Sequence, residues 1–125
     1  MAFIYGIGVD IVDIARFEKI VENGAEQFVK RILTVEEQNV YSLKSNKVNY
    51  LAKQFSAKEA IAKAYGTGIG QYLSFKDIEI LRDDLGKPVA SFIKTEERNL
   101  AALSIQVSLS DTQSQVVAFA LIEKA

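Results

Sequence analysis

Cysteine and histidine are both missing from the 125 residues of this chain. Without cysteine there is no disulfide bond and no thiolate metal site, and without histidine the commonest general base and the commonest zinc ligand are lost. Any metal must therefore be held by oxygen ligands, which favours Mg²⁺, Mn²⁺ or Ca²⁺. Aspartate and glutamate side chains are accordingly the first candidates for metal ligands.

Long apolar runs and a strong charge of one sign are missing as well. No apolar run approaches the roughly 18 residues of a transmembrane helix, so we expect no membrane span. The N-terminal segment "MAFIYGIGVDIV" has no basic region ahead of its apolar residues, which argues against a signal peptide and favours a cytoplasmic location. A formal net charge of -1 provides no general attraction for nucleic acid.

The length of the chain and its hydrophobic content, 49% of residues, are typical of one globular domain with a buried core. No internal repeat, low-complexity run or linker divides the sequence, so we expect a single domain over residues 1–125. The order of strands and helices predicts an α+β fold in which an antiparallel-rich sheet packs with one long helix and several shorter ones.

Hydrophobic periodicity and turn signals predict the secondary structure. Strands are predicted over residues 3–12, 75–81, 89–93, 104–110 and 115–123, and helices over 13–23, 25–33, 34–43, 47–65 and 95–103. Asp13 and Thr95 are candidate helix N-caps, and Asn23-Gly24 is a candidate stop. Thr34, with Glu37 three residues later, forms a capping-box pattern.

The first strand separates into two faces by simple alternation. One face carries Phe3, Tyr5, Ile7, Val9 and Ile11, and the other carries Ile4, Gly6, Gly8, Asp10 and Val12. Asp10 therefore shares a face with two glycines. Glycine inside a strand often marks a place where another group approaches the backbone closely. Asp10 is either a surface aspartate near a strand end or one of the ligands of a site.

The segment "QFSAKEAIAKAYGTGIG" places a carboxylate, Glu59, inside the apolar arc of the longest helix. The members of that arc are Val48, Leu51, Ala52, Phe55 and Ala62. An ionised carboxylate among apolar side chains is unfavourable, so Glu59 should be paired, protonated or bound to a metal. Lys63 lies one turn later and can pair with it. Alternatively, Glu59 and Asp10 together bind Mg²⁺, which takes its remaining ligands from water and substrate phosphates.

The glycines of "GTGIG", Gly66–Gly70, either end the helix or offer backbone N–H groups to a phosphate. The segment follows a helix, so it is neither a Walker A loop nor a dinucleotide-binding fingerprint. Lys58, Lys63 and Arg16 are possible phosphate partners, although each is also typical of a solvated surface.

Four segments, in the order "GIGVDIVDIARF", "FSAKEAIAKAYGTGIG", "LGKP" and "VSLSD", resemble the holo-acyl-carrier-protein synthase family over nearly the whole chain. These proteins are small 4′-phosphopantetheinyl transferases. The resemblance implies an α+β domain, a homotrimer with active sites at subunit interfaces, and Mg²⁺ as the cofactor. It also implies transfer of phosphopantetheine from coenzyme A to a serine of apo-acyl carrier protein. This transfer releases adenosine 3′,5′-bisphosphate and supports fatty acid biosynthesis.

The resemblance also implies roles for individual residues. Asp10 and Glu59 would be metal ligands and, with Lys63, catalytic residues, and Arg16 would contact the acidic carrier protein. Coenzyme A would be bound by Lys58, Lys63, Gly66, Gly68, Lys87, Pro88 and Asp111. The base that deprotonates the serine would be Glu59, a metal-bound water or a phosphate oxygen, with Glu59 as the first choice.

Two residues depart from the family pattern. Asp111 stands where many relatives have histidine, and Gln54 where many have arginine. We expect both positions to lie near the coenzyme A phosphates, where these exchanges would weaken phosphate contacts. Lysines are available to compensate, namely Lys44, Lys47 and Lys53. The departures leave two other hypotheses open, a non-catalytic oligomeric module that binds coenzyme A or a nucleotide, and a purely structural module.

Overall fold

The computed structural model describes residues 2–93 and 100–125, and this part of the chain contains five strands, four α-helices and two short 3₁₀ helices. The strands are β1 (Phe3–Asp13), β2 (Ile78–Arg82), β3 (Pro88–Phe92), β4 (Leu103–Asp111) and β5 (Gln115–Lys124). The helices are α1 (Ile14–Glu22), α2 (Glu26–Ile32), α3 (Val35–Leu43) and α4 (Lys47–Tyr65), with 3₁₀ helices at Phe75–Asp77 and Leu100–Ala102. The predicted α+β class is confirmed.

The observed strand pairs are antiparallel, and they form two sheets. The larger sheet has the order β1-β5-β4, and the smaller is the hairpin of β2 and β3. Helix α4 packs across β1 and β5 of the larger sheet. Along β5 the side chains that are buried are Val116, Ala118, Ala120 and Ile122. The two alanines in the middle of this row leave room for the helix to lie close to the sheet.

Two glycines of β1 allow α4 to lie directly against the strand. A Cβ atom on Gly6 would overlap the carbonyl oxygen of Ala64, and one on Gly8 would overlap that of Ala60. The Gly8 Cβ would also lie 2.9 Å from the Cβ of Lys63. The close approach that the glycines predict is therefore present, and the approaching group is helix α4. As a result, the next residue on this face, Asp10, lies beside the helix.

Helix α4 is buried on almost every side. Between Tyr50 and Ala64 every side chain is buried except those of Lys53, Glu59 and Lys63. The predicted bounds of this helix are confirmed, but the prediction of an apolar arc enclosing Glu59 needs correction. Packing from several elements covers even polar positions of the helix, and Glu59 is one of the three side chains of this stretch that are not buried. We name these three residues, Lys53, Glu59 and Lys63, the open strip.

A buried glutamate of α3, Glu37, ties three elements together. Its Oε1 accepts hydrogen bonds from the Thr34 backbone N–H at 2.8 Å and from Lys58 Nζ at 2.6 Å. Its Oε2 accepts from Gln54 Nε2 at 2.9 Å and from the Ile80 backbone N–H at 2.7 Å. The capping box at Thr34 is thus confirmed, and the same glutamate also anchors α4 and β2.

Lys58 is the partner of Glu37, and both side chains are 0% exposed. The Lys58 ammonium also donates to the carbonyl oxygens of Ile32, at 2.7 Å, and Phe75, at 3.0 Å. An ammonium group has three N–H donors, and all three are used. The prediction that Lys58 contacts a coenzyme A phosphate is therefore wrong. Gln54, which is buried and bonded to Glu37, does not face a ligand either.

Several boundaries differ from prediction. Residues 75–77 form a 3₁₀ helix ahead of β2 instead of belonging to the strand. Asp13 stands at the N-cap of α1 without a side-chain capping bond, and its carboxylate instead accepts from Gln115 Nε2 at 3.2 Å. The predicted helix over 95–103 lies largely outside the described residues, including its cap at Thr95. Among the described helices, none is long and apolar enough to cross a membrane.

A register shift in β1 changes which residues share a face. Ile4 pairs with Glu123 whereas Gly6 pairs with Ile122, so the strand contains a bulge at Tyr5. Because paired residues point to the same side of a sheet, Ile4 lies on the face opposite to Gly6, contrary to simple alternation. The Tyr5 ring stacks on Tyr65 of α4, with 6.2 Å between the ring centroids.

Replacing Gly8 by alanine tests the contact between α4 and β1. We expect Gly8→Ala to lower the free energy of unfolding by about 1–3 kcal/mol, because the added methyl group forces the helix away from the strand. The matched control is Gly70→Ala, where an added Cβ meets nothing within 4 Å. Urea unfolding followed by circular dichroism measures both. Equal stability of the two variants would contradict the close packing.

Candidate active site

The two carboxylates predicted to act together are carried by neighbouring elements. Asp10 lies on the face of β1 that α4 covers, and Glu59 and Lys63 lie one turn apart on α4. Lys63 Nζ donates to Asp10 Oδ1 at 3.1 Å and to the Val9 carbonyl oxygen at 3.0 Å. The Asp10 side chain is 15% exposed and that of Lys63 is 50% exposed. The lysine thus holds the aspartate while remaining accessible to a ligand.

The second carboxylate oxygen of Asp10 is a candidate metal ligand. Asp10 Oδ2 is buried and has no hydrogen-bond partner among the described residues. Buried polar atoms in folded proteins are mostly paired, so an unpaired carboxylate oxygen is a candidate ligand atom. The Asp10 carboxylate therefore has one oxygen for Lys63 and one oxygen available to a metal ion.

The charge of Asp10 also acts on Glu59. Burial raises the pKa of the Glu59 carboxyl above its ordinary value, and the negative charge of Asp10 raises this pKa further. The positive charges of Lys63 and Arg16 oppose both effects. Two carboxylates that repel each other in this way are stabilised when a cation binds between them.

The described residues contain no group of three or more acidic, histidine or cysteine side chains that could hold a metal. Within this part of the chain, the site therefore offers two carboxylates, and the remaining ligands must be water or substrate. Mg²⁺ is commonly bound in this manner, whereas Ca²⁺ takes more oxygen ligands. The donor set at Asp10 and Glu59 fits the predicted Mg²⁺.

Arg16 of α1 faces the same region. Its guanidinium carbon lies 4.7 Å from the ring centroid of Phe55 and 5.4 Å from that of Phe17, which are cation–π distances. Its charge also opposes the rise in the pKa of Glu59. Arg16 is therefore held near the carboxylates on an aromatic surface, and its contact with a carrier protein stays a prediction.

The third member of the open strip, Lys53, lies toward the N-terminal end of the helix. Lys53, Glu59 and Lys63 lie within about 120° of each other around the axis, and Lys53 is roughly 9 Å along the axis from Glu59. The side chains between Lys53 and Glu59 are buried, so this side of α4 presents side chains to a ligand at Lys53 and at Glu59 and Lys63, but not between them.

A pocket of about 430 Å³ lies at the far end of the strip. Its lining residues are Lys44, Ser45, Asn46, Asn49, Tyr50, Lys53, Arg82 and Gly86, and we name this group the cationic pocket. Three of them carry a positive charge and none carries a negative charge, so the pocket suits a phosphate group. Sequence reasoning anticipated Lys44 and Lys53 but missed Arg82, whose only signal is its position directly before the "DDLGKP" turn.

Asp111 lies at the edge of the cationic pocket. It pairs with Val116 of β5, which pairs with Val12 of β1, so Asp111 lies on the same sheet face as Asp10. Asp111 Oδ2 accepts a hydrogen bond from Asn49 Nδ2 at 3.1 Å. Its Oδ1 lies 3.9 Å from Lys53 Nζ. The prediction that Asp111 contributes to coenzyme A binding therefore has a definite location.

The glycines after α4 end the helix. Gly66 and Gly68 have positive φ angles of 109° and 69°, and both of their N–H groups donate to the Ala62 carbonyl oxygen at 3.1 Å. These donors are used within the protein, so the prediction that they bind a phosphate is wrong. An added Cβ at Gly66 or Gly68 meets nothing within 4 Å, and close passage of a ligand along this surface stays a prediction.

Lys87 and Pro88 belong to the hairpin that borders the cationic pocket. Pro88 pairs with Arg82 across the hairpin, and Gly86 next to Lys87 lines the pocket directly. Asp83 shapes this turn, since its Oδ1 accepts from the Lys87 backbone N–H at 2.9 Å. The prediction that Lys87 and Pro88 contact coenzyme A is consistent with this position and stays a prediction.

Comparison with known proteins identifies the family of the chain. A sequence profile of the 4′-phosphopantetheinyl transferase superfamily matches residues 6–120. The holo-[acyl-carrier-protein] synthase of Blochmanniella pennsylvanica (strain BPEN) is 41% identical over 124 residues, 97% of this chain and 99% of its own length. The chain belongs to the holo-acyl-carrier-protein synthase family.

Solved structures of this family share the fold. The holo-[acyl-carrier-protein] synthase of Neisseria meningitidis is 42% identical with a TM-score of 0.86, and the match covers 98% of this chain and 100% of that one. The Bacillus anthracis holo-(acyl-carrier-protein) synthase, in complex with CoA (3′,5′-ADP), is 39% identical with a TM-score of 0.83 and 98% coverage of both chains. The predictions of family, fold class and enzyme class are confirmed, and the two hypotheses of a non-enzymatic module are thereby disfavoured.

Replacing Glu59 by glutamine tests the metal site through stability. The folded state raises the pKa of Glu59, so it disfavours the ionised form, which costs stability at pH values above that pKa. In buffer containing a chelator, we therefore expect Glu59→Gln to raise the melting temperature at neutral pH. The difference should shrink as pH falls through the folded-state pKa. Added Mg²⁺ should stabilise the unmodified protein more than the variant.

Differential scanning fluorimetry over a series of pH values, with chelator or with Mg²⁺, measures both effects. Glu36→Gln is the control, because Glu36 is exposed on α3 and should change neither quantity. A lower melting temperature of Glu59→Gln in chelator, or equal stabilisation of both proteins by Mg²⁺, would contradict this assignment.

Proposed function

We propose that this protein transfers the 4′-phosphopantetheine group from coenzyme A to a serine of apo-acyl carrier protein. The reaction releases adenosine 3′,5′-bisphosphate and supports fatty acid biosynthesis in the cytoplasm. The observation that carries the proposal is the pair of carboxylates, Asp10 and Glu59, beside the Lys63 ammonium on the open strip of α4. Membership of the family supports the same reaction, and the Bacillus anthracis relative in complex with CoA (3′,5′-ADP) supports the donor.

Asp10 and Glu59 would hold Mg²⁺, the former through its unpaired Oδ2. Bound there, Mg²⁺ would neutralise the charge that develops on the pyrophosphate oxygens. The protein contributes the position of the two carboxylates, which the packing of α4 on Gly8 maintains. Zinc is not favoured, because the chain has no histidine or cysteine to bind it.

Lys63 is the group that would stabilise the departing phosphate. Its ammonium is half exposed and donates to two oxygens, Asp10 Oδ1 and the Val9 carbonyl oxygen, which leaves one N–H for a ligand. A fixed positive charge beside the breaking P–O bond stabilises the charge of the transition state. Family resemblance assigns a catalytic role to the same lysine.

Glu59 is the first choice for the base that accepts the serine proton. A positioned carboxylate can accept a proton from a hydroxyl group, directly or through a water molecule. A non-bridging phosphate oxygen is the alternative acceptor. We expect the carrier protein to approach from the side of Arg16, whose positive charge suits an acidic surface.

The cationic pocket would bind the second phosphate of coenzyme A. Coenzyme A carries a pyrophosphate and, separately, a phosphate on the 3′ position of its ribose. With the pyrophosphate at Asp10 and Glu59, the rest of the donor would extend toward the N-terminal end of α4, where the pocket has three cations, Lys44, Lys53 and Arg82. The two ends of the site therefore match the two places at which the donor is phosphorylated.

The outer face of the larger sheet supports a homotrimer. The apolar side chains of Ile4, Ile7, Val9 and Ile11 in β1 are each more than half exposed, and Phe119 of β5 extends this row. A continuous exposed apolar patch of this kind usually marks an interface. We assign further copies of this chain as the occupant, because the family resemblance places active sites between subunits.

Mass spectrometry of carrier protein tests the transfer reaction. Incubation with apo-acyl carrier protein, coenzyme A and Mg²⁺ should add the mass of one phosphopantetheine group, and chelation of divalent ions should prevent it. We expect Lys63→Met to lower kcat by about 10²-fold or more, as for loss of one group that stabilises transition-state charge. Lys30→Met is the control, since Lys30 forms an exposed pair with Glu26 on α2. Absence of a mass shift with every divalent metal would overturn the function.

Light scattering coupled to size-exclusion chromatography tests the trimer. The unmodified protein should have the mass of three chains, and the double variant Ile7→Lys/Val9→Lys should have the mass of one chain, because unpaired charges are costly in an apolar interface. Leu43→Lys is the control, since Leu43 is an exposed apolar residue at the end of α3 and not on this face. A one-chain or two-chain mass for the unmodified protein would contradict the assembly.

A further inference from the structure

The cationic pocket has an acidic neighbour, Asp111. Its lining residues include three cations and no acid, yet the carboxylate of Asp111 reaches one of those cations, Lys53, from outside the lining. Asp111 follows the pocket residue Asn49 by 62 positions in the chain, so only the fold brings this acid to the pocket.

The carboxylate of Asp111 is held in place from two directions. Its backbone is fixed at the end of β4 by pairing with Val116, and its Oδ2 accepts the hydrogen bond from Asn49 Nδ2. This leaves Oδ1 on the side of Lys53, at 3.9 Å from the ammonium nitrogen. The strand pairing and the hydrogen bond from Asn49 therefore place the carboxylate at the edge of the pocket.

The contact between Asp111 and Lys53 is weak enough for a ligand to replace. A separation of 3.9 Å is too long for a hydrogen bond, and the two side chains are 37% and 27% exposed. Partly exposed ion pairs of this kind contribute little to stability. A phosphate that binds Lys53 can therefore take over the ammonium group, but it then lies close to the negative charge of Asp111, which lowers its affinity.

We propose that Asp111 sets the affinity of the cationic pocket for the 3′-phosphate of the donor, by acting as a built-in counter-ion to Lys53. This inference rests on the proposed use of coenzyme A. Its consequence is a weakened preference for donors that carry the 3′-phosphate over donors that lack it, because part of the pocket's positive charge is already neutralised. Asp111 is thus a specificity-determining residue of the pocket.

Calorimetry with two nucleotide probes tests the inference without catalysis. Adenosine 3′,5′-bisphosphate carries the 3′-phosphate, and adenosine 5′-monophosphate lacks it. We expect Asp111→Asn, which can keep the Asn49 hydrogen bond, to bind the bisphosphate up to about fivefold more tightly, the upper range for a partly exposed ion pair. Binding of the monophosphate should not change. Glu36→Gln, an equal change of charge on exposed α3, should change neither affinity.

A double-mutant cycle with Lys53→Gln identifies the route of the effect. We expect Lys53→Gln alone to weaken binding of the bisphosphate, and the gain from Asp111→Asn to disappear when Lys53 is already glutamine. An equal gain for both nucleotides, a gain that persists without Lys53, or no gain at all would each overturn the inference.

Transfer assays separate this inference from the proposed function. With the complete enzyme and apo-carrier protein, Asp111→Asn should raise the ratio of kcat/KM for coenzyme A to kcat/KM for 3′-dephospho-coenzyme A. Phosphopantetheine transfer with an unchanged ratio would overturn the role of Asp111 and leave the function standing. Absence of transfer from either donor would overturn the function itself, whatever the nucleotide affinities.

Discussion

The direct packing of α4 on β1 is the constraint on which the rest of the site depends. At Gly8 the strand has no side chain, and the carbonyl group of Ala60 occupies the space that a Cβ would need. This contact fixes the separation between the strand that carries Asp10 and the helix turn that carries Glu59 and Lys63. Metal ligands must be held within a narrow range of positions, so a rigid backbone contact at their base is an effective support.

Lys58 and Glu59 are adjacent in α4, but packing buries the charge of the first and leaves the charge of the second accessible. Lys58 and Glu59 differ in direction by about 100° around the helix axis. Lys58 points into the core, where Glu37 and two backbone carbonyl groups satisfy its three donors. Breaking a buried pair of this kind would leave an uncompensated charge, so the pair strongly disfavours rotation of the helix. Glu59 is consequently kept on the open strip.

Charge is distributed unevenly along this open strip. One end has two carboxylates with Lys63 beside them, which suits a divalent cation and a phosphate together. The other end has the cations of the pocket, partly balanced by Asp111. The proposed donor, which is phosphorylated at two separate places, would complement both ends. The same arrangement gives a chain with a net charge of -1 a local cluster of positive charge.

The sequence by itself determined the local features of this protein. Periodicity and caps are short-range properties, so they predicted the bounds of α4, the capping box at Thr34 and the glycine-lined face that carries Asp10. Absence of cysteine and histidine restricted any metal to oxygen ligands. Only the tertiary structure decided which charges are buried and which are available, because burial depends on elements far apart in the chain. It assigned Lys58 to the core and joined Asp111 to Lys53, contacts that no local pattern encodes.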